Sequence, residues 1–75
     1  MNEQTYTVLL MQSTSHAIRA EQVLYRAGIS AKLIPVPRHL SSDCGVCIRI
    51  RRSDVEAARE ALQAAGVAIE AVHSI

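Results

Sequence analysis

The most regular stretch of the sequence is GVCIRIR, residues 45–51, in which apolar and polar side chains alternate. One side of this stretch carries the branched aliphatic residues Val46, Ile48 and Ile50. The other side carries Cys47 and two arginines. Because successive side chains of a strand point to opposite faces, this period of two predicts a strand with one buried face.

Three further strands are predicted around this one. Residues 5–11 are largely apolar on both faces, as in a central strand. Residues 31–36 also form a strand, and Pro35 and Pro37 indicate an edge or an exit there because proline cannot donate to a ladder. Residues 67–73 supply the last strand.

Two amphipathic helices connect these strands. The first follows a cluster of capping side chains at residues 12–15 and ends at Gly28, and the second follows a capping box at residues 53–56 and ends at Gly66. Their apolar stripes are Ala17, Ala20, Val23, Leu24 and Ala27 in the first, and Val55, Ala58, Leu62 and Ala65 in the second. The helix exits resemble each other, so the chain reads as two similar halves.

The resulting order, βαββαβ, predicts an α+β fold of the ferredoxin-like split βαβ type. We expect an antiparallel four-stranded sheet with two helices on one face and the other face open. Residues 1–75 are expected to form a single domain, because half of so short a chain would bury too little apolar surface. Leu10 and Val72 on the open face would favour a homodimer.

Composition and charge argue against nucleic-acid binding and against membrane association. Hydrophobic residues make up 49% of the chain, the net charge is +1, and the arginines are spread over several elements, so no nucleic-acid partner is expected. No apolar run approaches the roughly 20 residues needed to span a bilayer, and the first residues lack the pattern of a signal peptide. We therefore predict no membrane association, a cytoplasmic location and reduced cysteines.

The residues most suited to chemistry lie in the loop at positions 37–44. The first two strands are expected to run in the same direction, which brings this loop to the end of the sheet where the first helix begins. Cys44 would then lie near a helix N-terminus, whose dipole stabilises a thiolate. The polar residues around it are Arg38, His39, Ser41, Ser42 and Asp43. His16, in the first helical turn, either covers the sheet end or acts as a proton donor or thiolate partner.

Cys44 and Cys47 also form a C-x-x-C pair, which leaves a redox dithiol or a metal site open. The second cysteine enters a strand, where residues three apart point to opposite faces, so Cys47 is better interpreted as a small apolar residue. Zinc would require two further ligands, for which His16 and His39 are the candidates. We predict no metal and no cofactor. Arg49, Arg51 and Arg52 are interpreted as a solvated strand edge.

Three segments carry a family resemblance: HAIRAE at residues 16–21, LIPVPR at 33–38 and LSSDCG at 40–45. They contain the motif Pro-Arg-x-x-Ser-Ser-x-Cys-Gly and are similar to the selenium/sulfur carrier protein-like family of small bacterial domains. The similarity extends over residues 6–72, nearly the whole chain.

This resemblance implies that Cys44 holds a terminal sulfur or selenium as a persulfide or selenosulfide. It implies partner proteins that donate and accept the chalcogen, and a carrier rather than a turnover enzyme. It leaves sulfur versus selenium open. The residues that would stabilise the anionic adduct or make room for it are Arg38, Ser41, Ser42, Asp43, Gly45 and His16. Cys47 departs from the family pattern, where an apolar residue is usual, and would be a resolving thiol if it reached Cys44.

Two other functions remain open from the residues alone. The first is a small regulatory or ligand-binding module that binds an anion near Arg38 and the N-terminus of the first helix, a hypothesis that rests on analogy of fold. The second is a redox or metal site that uses both cysteines. Replacing Cys44 with serine would abolish the carrier and the redox site but spare the ligand-binding module.

Overall fold

The computed structural model describes residues 6–40 and 45–75. The elements are β1 (Tyr6–Leu10), α1 (Thr14–Arg26), β2 (Ala31–Pro35), β3 (Val46–Arg51), a 3-10 turn (Arg52–Asp54), α2 (Val55–Ala64) and β4 (Ala71–Ser74). Their order is the predicted one. Neither α-helix in this part of the chain has the length and apolar composition needed to cross a membrane.

The four strands form one open sheet in the order β2-β3-β1-β4, and every neighbouring pair is antiparallel. This arrangement confirms the predicted α+β fold of the ferredoxin-like type. β1 and β2 are both antiparallel to β3, so they run in the same direction with β3 between them. The interpretation of Arg49 and Arg51 as a strand edge was therefore wrong, because β3 lies inside the sheet.

Both helices end in the same hydrogen-bonded motif, as their similar sequences predicted. Gly28 and Gly66 have φ values of 78° and 74°, a conformation that glycine adopts without a Cβ clash. The residue after each glycine donates back into the last helical turn, Ile29 N to Leu24 O at 2.9 Å and Val67 N to Leu62 O at 2.9 Å. This is the Schellman motif, which satisfies carbonyl groups at the helix end.

The main core lies between the sheet and the two helices, which pack on the same face. It contains aliphatic residues of the strands and small residues of the helices, a pairing that lets thin helices approach the sheet closely. The buried residues of this core are Leu9, Met11, Ala17, Ala20, Leu24, Ile48, Ile50, Ala58, Leu62 and Val67. Val72 packs against this core as well, so its expected position on the face without helices was wrong.

The predicted capping box at residues 53–56 does not form. The chain instead makes a 3-10 turn before α2, and Asp54 occupies the N-cap position without a side-chain hydrogen bond to the helix. Its carboxylate Oδ2 lies 3.6 Å from Nε of Arg51. The turn shifts the helix start to Val55, two residues beyond the predicted cap.

The last strand is shorter than predicted and begins at Ala71. Val67 is buried in the core, and its N–H is used by the end of α2. Pairing with β1 starts when Glu70 N donates to Leu10 O at 2.8 Å. Residues 67–70 therefore connect the helix to the strand, because the N–H of Val67 is bonded to the end of α2 and its side chain is buried in the core.

Candidate functional site

The segment that contains the candidate cysteine leaves and re-enters the sheet at one point. Beyond the last β2–β3 pair, Pro35 with Val46, the N–H of Val36 donates to the carbonyl of Gly45 at 3.2 Å. This bond extends the ladder by one step past the strand ends. The residues between Val36 and Gly45 thus form the connection of a closed hairpin.

The first part of this connection is a turn that presents two basic side chains. The N–H of Leu40 donates to the carbonyl of Pro37 at 3.0 Å, and Arg38 and His39, between them, are both exposed. Leu40 itself is half-buried against the sheet. The turn is therefore anchored by an apolar contact while its guanidinium and imidazole groups face solvent.

The N-terminus of α1 lies at the same end of the sheet, as predicted. β1 ends at Leu10, whose partner across β3 is Cys47, so β1 finishes beside the start of β3. Ser13 is the N-cap of α1, and its Oγ accepts a hydrogen bond from the N–H of His16 at 3.2 Å. The sequence therefore located both the cap and the end of the sheet on which it lies.

His16 is exposed, so it does not cover the end of the sheet. Its Nδ1 lies 2.7 Å from Oγ of Ser13. This contact holds the imidazole beside the helix cap, where its other ring nitrogen remains a candidate for proton transfer.

Four of the predicted site residues, Ser41, Ser42, Asp43 and Cys44, lie outside the described residues. Gly45, the described residue that follows them, is exposed, and a Cβ built on it would meet no atom of the described residues within 4 Å. Its φ is not positive, so its backbone does not require glycine. That Gly45 leaves room for another molecule stays a prediction.

Cys47 is completely buried, in contrast to the expectation of an outward-facing side chain. It lies on the sheet face opposite the helices, in a cluster with Val8 and Leu10. Val36, which continues β2 by one ladder step, and Leu40, in the turn that follows, both pack against that cluster. The Sγ of Cys47 is 4.0 Å from the carbonyl oxygen of Pro35. These surroundings agree with the interpretation of Cys47 as a small apolar residue.

The face opposite the helices thus has two halves. The covered half consists of Val8, Leu10 and Cys47 under Val36 and Leu40. Leu10 is 4% exposed there, so neither it nor Val72 offers the open apolar surface on which the homodimer expectation rested.

The basic half occupies the other end of the same face and consists of Tyr6, Lys32, Arg49, Arg51 and His73. The strand register brings these residues together, because Arg49 pairs with Lys32 on one side and with Val8 on the other, and Val8 pairs with His73. The guanidinium carbon of Arg49 lies 4.3 Å from the centre of the Tyr6 ring. Sequence reasoning missed this group, although the parity of each strand combined with the strand order of the ferredoxin-like fold would have revealed it.

Within residues 6–40 and 45–75, no three His, Cys, Asp or Glu side chains are grouped closely enough to hold a metal ion. Cys47 lies in the apolar cluster of the covered half, and Cys44, the other cysteine of the zinc hypothesis, lies outside the described residues.

Comparison with known families gives one match, and it covers nearly all of the chain. Residues 6–74 match the family described as "Putative Se/S carrier protein-like". No curated protein and no solved structure matches the chain. The match extends from the first residue of β1 to the last residue of β4 and includes the candidate cysteine. The chain belongs to this selenium/sulfur carrier protein-like family.

Proposed function

We propose that the protein is a sulfur or selenium carrier that holds the chalcogen on Cys44. The observation that supports this most directly is the family match over residues 6–74, which includes Cys44 and the loop motif around it. The protein would act by meeting a donor protein and an acceptor protein in turn. It would regenerate its own thiol in each cycle.

The transfer requires no external oxidant. The thiolate of Cys44 attacks the outer sulfur of a persulfide, R–S–SH, on the donor. A new bond forms between Sγ of Cys44 and that sulfur, the S–S bond of the donor breaks, and the donor leaves as the thiolate R–S⁻. The acceptor thiolate repeats the exchange and releases Cys44 as a thiolate. With a selenium donor, R–S–SeH, the outer atom is selenium. A bond between Sγ of Cys44 and selenium forms, and the S–Se bond of the donor breaks.

Three features of the flanking residues support this chemistry. Arg38 is exposed in the turn that leads to the cysteine and carries a positive charge that suits an anionic adduct. The N-terminus of α1, at the same end of the sheet, favours negative charge. A Cβ built on Gly45 would meet no described atom within 4 Å, as would suit the approach of a partner's reacting group. In this proposal Ser41, Ser42, Asp43 and His16 complete the polar surroundings of the adduct.

The first test is the pH dependence of alkylation, read by intact mass. We expect Cys44 to be alkylated with a midpoint below about 8.5, the value for an ordinary thiol. Cys47 is completely buried and should remain unmodified in the native protein. The Cys47→Ser variant should behave in the same way, whereas the Cys44→Ser variant should not react.

The second measurement is incubation with a low-molecular-weight persulfide, followed by intact mass. We expect a stable adduct of one sulfur atom on Cys44 in the parent and in Cys47→Ser. Cys44→Ser is the matched control and should carry no adduct. If the thiol of Cys44 reacts slowly, with an unshifted midpoint and no adduct, the carrier proposal fails.

The ligand-binding module remains the second candidate, because Arg38 is exposed at the end of the sheet where α1 begins. Such a module would bind a small anion there without the thiol. Anion binding that survives Cys44→Ser and disappears in Arg38→Gln would favour it. The redox alternative would use Cys47, which is completely buried.

A further inference from the structure

We infer that the basic half of the sheet, formed by Tyr6, Lys32, Arg49, Arg51 and His73, is a docking surface for an acidic segment of a partner protein. This surface lies on the strands, away from the turn that carries Arg38. The inference does not depend on the thiol chemistry of Cys44.

The first argument is the one-sided charge of the sheet. The strand residues that the structure describes include no Asp or Glu, and the cationic and imidazole side chains of the strands all fall on the face without helices. Only Arg51 among these residues has a carboxylate within ion-pair distance in the described part of the chain, Asp54 at 3.6 Å. The described part of the chain therefore supplies no carboxylate partner for Lys32 or Arg49, and an acidic segment of another molecule would complement their charge.

The second argument is that two like charges lie directly opposite each other. Lys32 and Arg49 are register partners on neighbouring strands, so their Cβ atoms are about 5 Å apart. Like charges in this arrangement destabilise a sheet. The pair does not stabilise the fold by itself, whereas a bound carboxylate would reduce the repulsion between Lys32 and Arg49.

The third argument is the way in which Arg49 is held. Its guanidinium lies against the face of the Tyr6 ring, at 4.3 Å from the ring centre. Such stacking fixes the guanidinium plane and leaves its N–H edge available for two parallel hydrogen bonds to a carboxylate. The side chain is therefore oriented before any ligand arrives, which lowers the entropy cost of binding.

The shape of the surface favours a peptide over a single ion. Tyr6, Ser30, Lys32, Arg49 and Arg51 line an open depression of about 650 Å³. This space suits several side chains and greatly exceeds one small inorganic anion.

Nucleic acid fits less well than an acidic protein. Single-stranded nucleic acid binds through exposed aromatic rings on which its bases stack. One face of the Tyr6 ring is already covered by the guanidinium of Arg49. The net charge of +1 also provides no extended basic surface beyond this half of the sheet. An acidic protein segment requires neither feature.

The test is nuclear magnetic resonance of the ¹⁵N-labelled full chain with a blocked hexaglutamate peptide as the probe, at about 20 mM salt to limit screening. We expect the largest amide shifts on β2 and β3 near Lys32, Arg49 and Arg51, with smaller shifts on the helices. The same measurement in Cys44→Ser should give the same result. Failure of this inference is therefore distinguishable from failure of the carrier proposal.

The decisive comparison uses two variants with the same net charge. Lys32→Gln with Arg49→Gln should weaken peptide binding about three- to tenfold, as expected for the loss of one exposed and one partly buried charge contact. Arg26→Gln with Arg59→Gln, which changes two exposed arginines of the helices, should weaken it less than about twofold. If Arg49→Gln disturbs the fold, the exposed Lys32→Gln alone should still weaken binding relative to Arg26→Gln alone.

Several outcomes would overturn the inference. Equal losses in the two double variants would indicate attraction to net charge only, and absence of shifts in the parent would remove the surface altogether. Tighter binding of hexauridylate would assign the surface to nucleic acid, and full competition by inorganic phosphate would assign it to a small anion. Self-association through the same strands would assign it to a second copy of the chain.

Discussion

The two halves of the sheet face opposite the helices share the same strand pattern but differ in burial. Cys47 and Arg49 are two residues apart on β3 and point the same way, but Cys47 is completely buried and Arg49 is only partly buried. Apolar residues pack against the cluster around Cys47, and they come both from neighbouring strands (Ile34 and Ala71) and from the residues after β2 (Val36 and Leu40). Burial on this face therefore depends on apolar neighbours from other segments as well as on the pattern of β3 itself.

The largest effect should come from the covered half. Leu10→Ala removes a buried side chain from a cluster of few residues, and we expect a loss of about 2–5 kcal/mol in the free energy of unfolding. Urea denaturation measures this loss. Leu9→Ala, on the helix side of the same strand, is the matched control and should cost a similar amount. A loss below about 1 kcal/mol at Leu10 would mean that the covered half is not a second core.

An intermediate effect should follow from removing the cover. Leu40→Ala truncates a half-buried side chain, so we expect a loss of about 1–2 kcal/mol in the free energy of unfolding. Alkylation of Cys47, measured by intact mass in a Cys44→Ser background, should become faster because the cluster opens more often. His39→Ala, at the neighbouring exposed position, should change neither quantity. An unchanged alkylation rate in Leu40→Ala would contradict the covering role of Leu40.

The smallest change in the free energy of unfolding should occur in the basic half, and it should be a gain in stability. Lys32→Gln removes one of two like charges that face each other, so we expect a gain of about 0.2–0.5 kcal/mol in the free energy of unfolding at low salt. The gain should shrink at about 1 M salt, where the screening length falls to about 3 Å. Thermal denaturation at both salt concentrations measures it. A loss of stability at low salt would show that Lys32 has a favourable electrostatic role within the fold.

Much of the fold was predictable from local sequence signals. The alternation in residues 45–51 predicted β3, and the glycines at 28 and 66 predicted both helix ends. The strand order followed from chain connectivity and the preference for right-handed crossovers. These features depend on residues that are close in sequence, so a single chain contains enough information to infer them.

The errors of prediction share a different cause. A 3-10 turn, in which Asp54 pairs with Arg51, forms in place of the predicted capping box at residues 53–56. Val67 is buried in the core and does not belong to β4. The burial of Cys47 depends on Leu40, and the grouping of Lys32 with Arg49 depends on strand register. Each of these outcomes is set by contacts between segments that local patterns do not encode.

For the candidate site, the described structure contains the residues that flank the predicted loop and does not describe the cysteine itself. Ser13 caps α1, Arg38 is exposed, and the hairpin returns at Gly45 on the same end of the sheet. The role of Cys44 stays a prediction that rests on the family and on these flanks. Reactivity depends on the surroundings of one sulfur atom, which sequence spacing alone does not define.

The hydrogen bond between Val36 and Gly45 has a consequence for how this family can diversify. It joins the two ends of the connection through backbone atoms, which every residue type provides except for the N–H of proline. The entropy cost of closing a loop rises only slowly with length, by about 0.6 kcal/mol for each doubling. Insertions between Leu40 and Gly45, beyond the residue that anchors the covered half, therefore cost the fold little, and the loop can lengthen while the sheet beneath it stays the same.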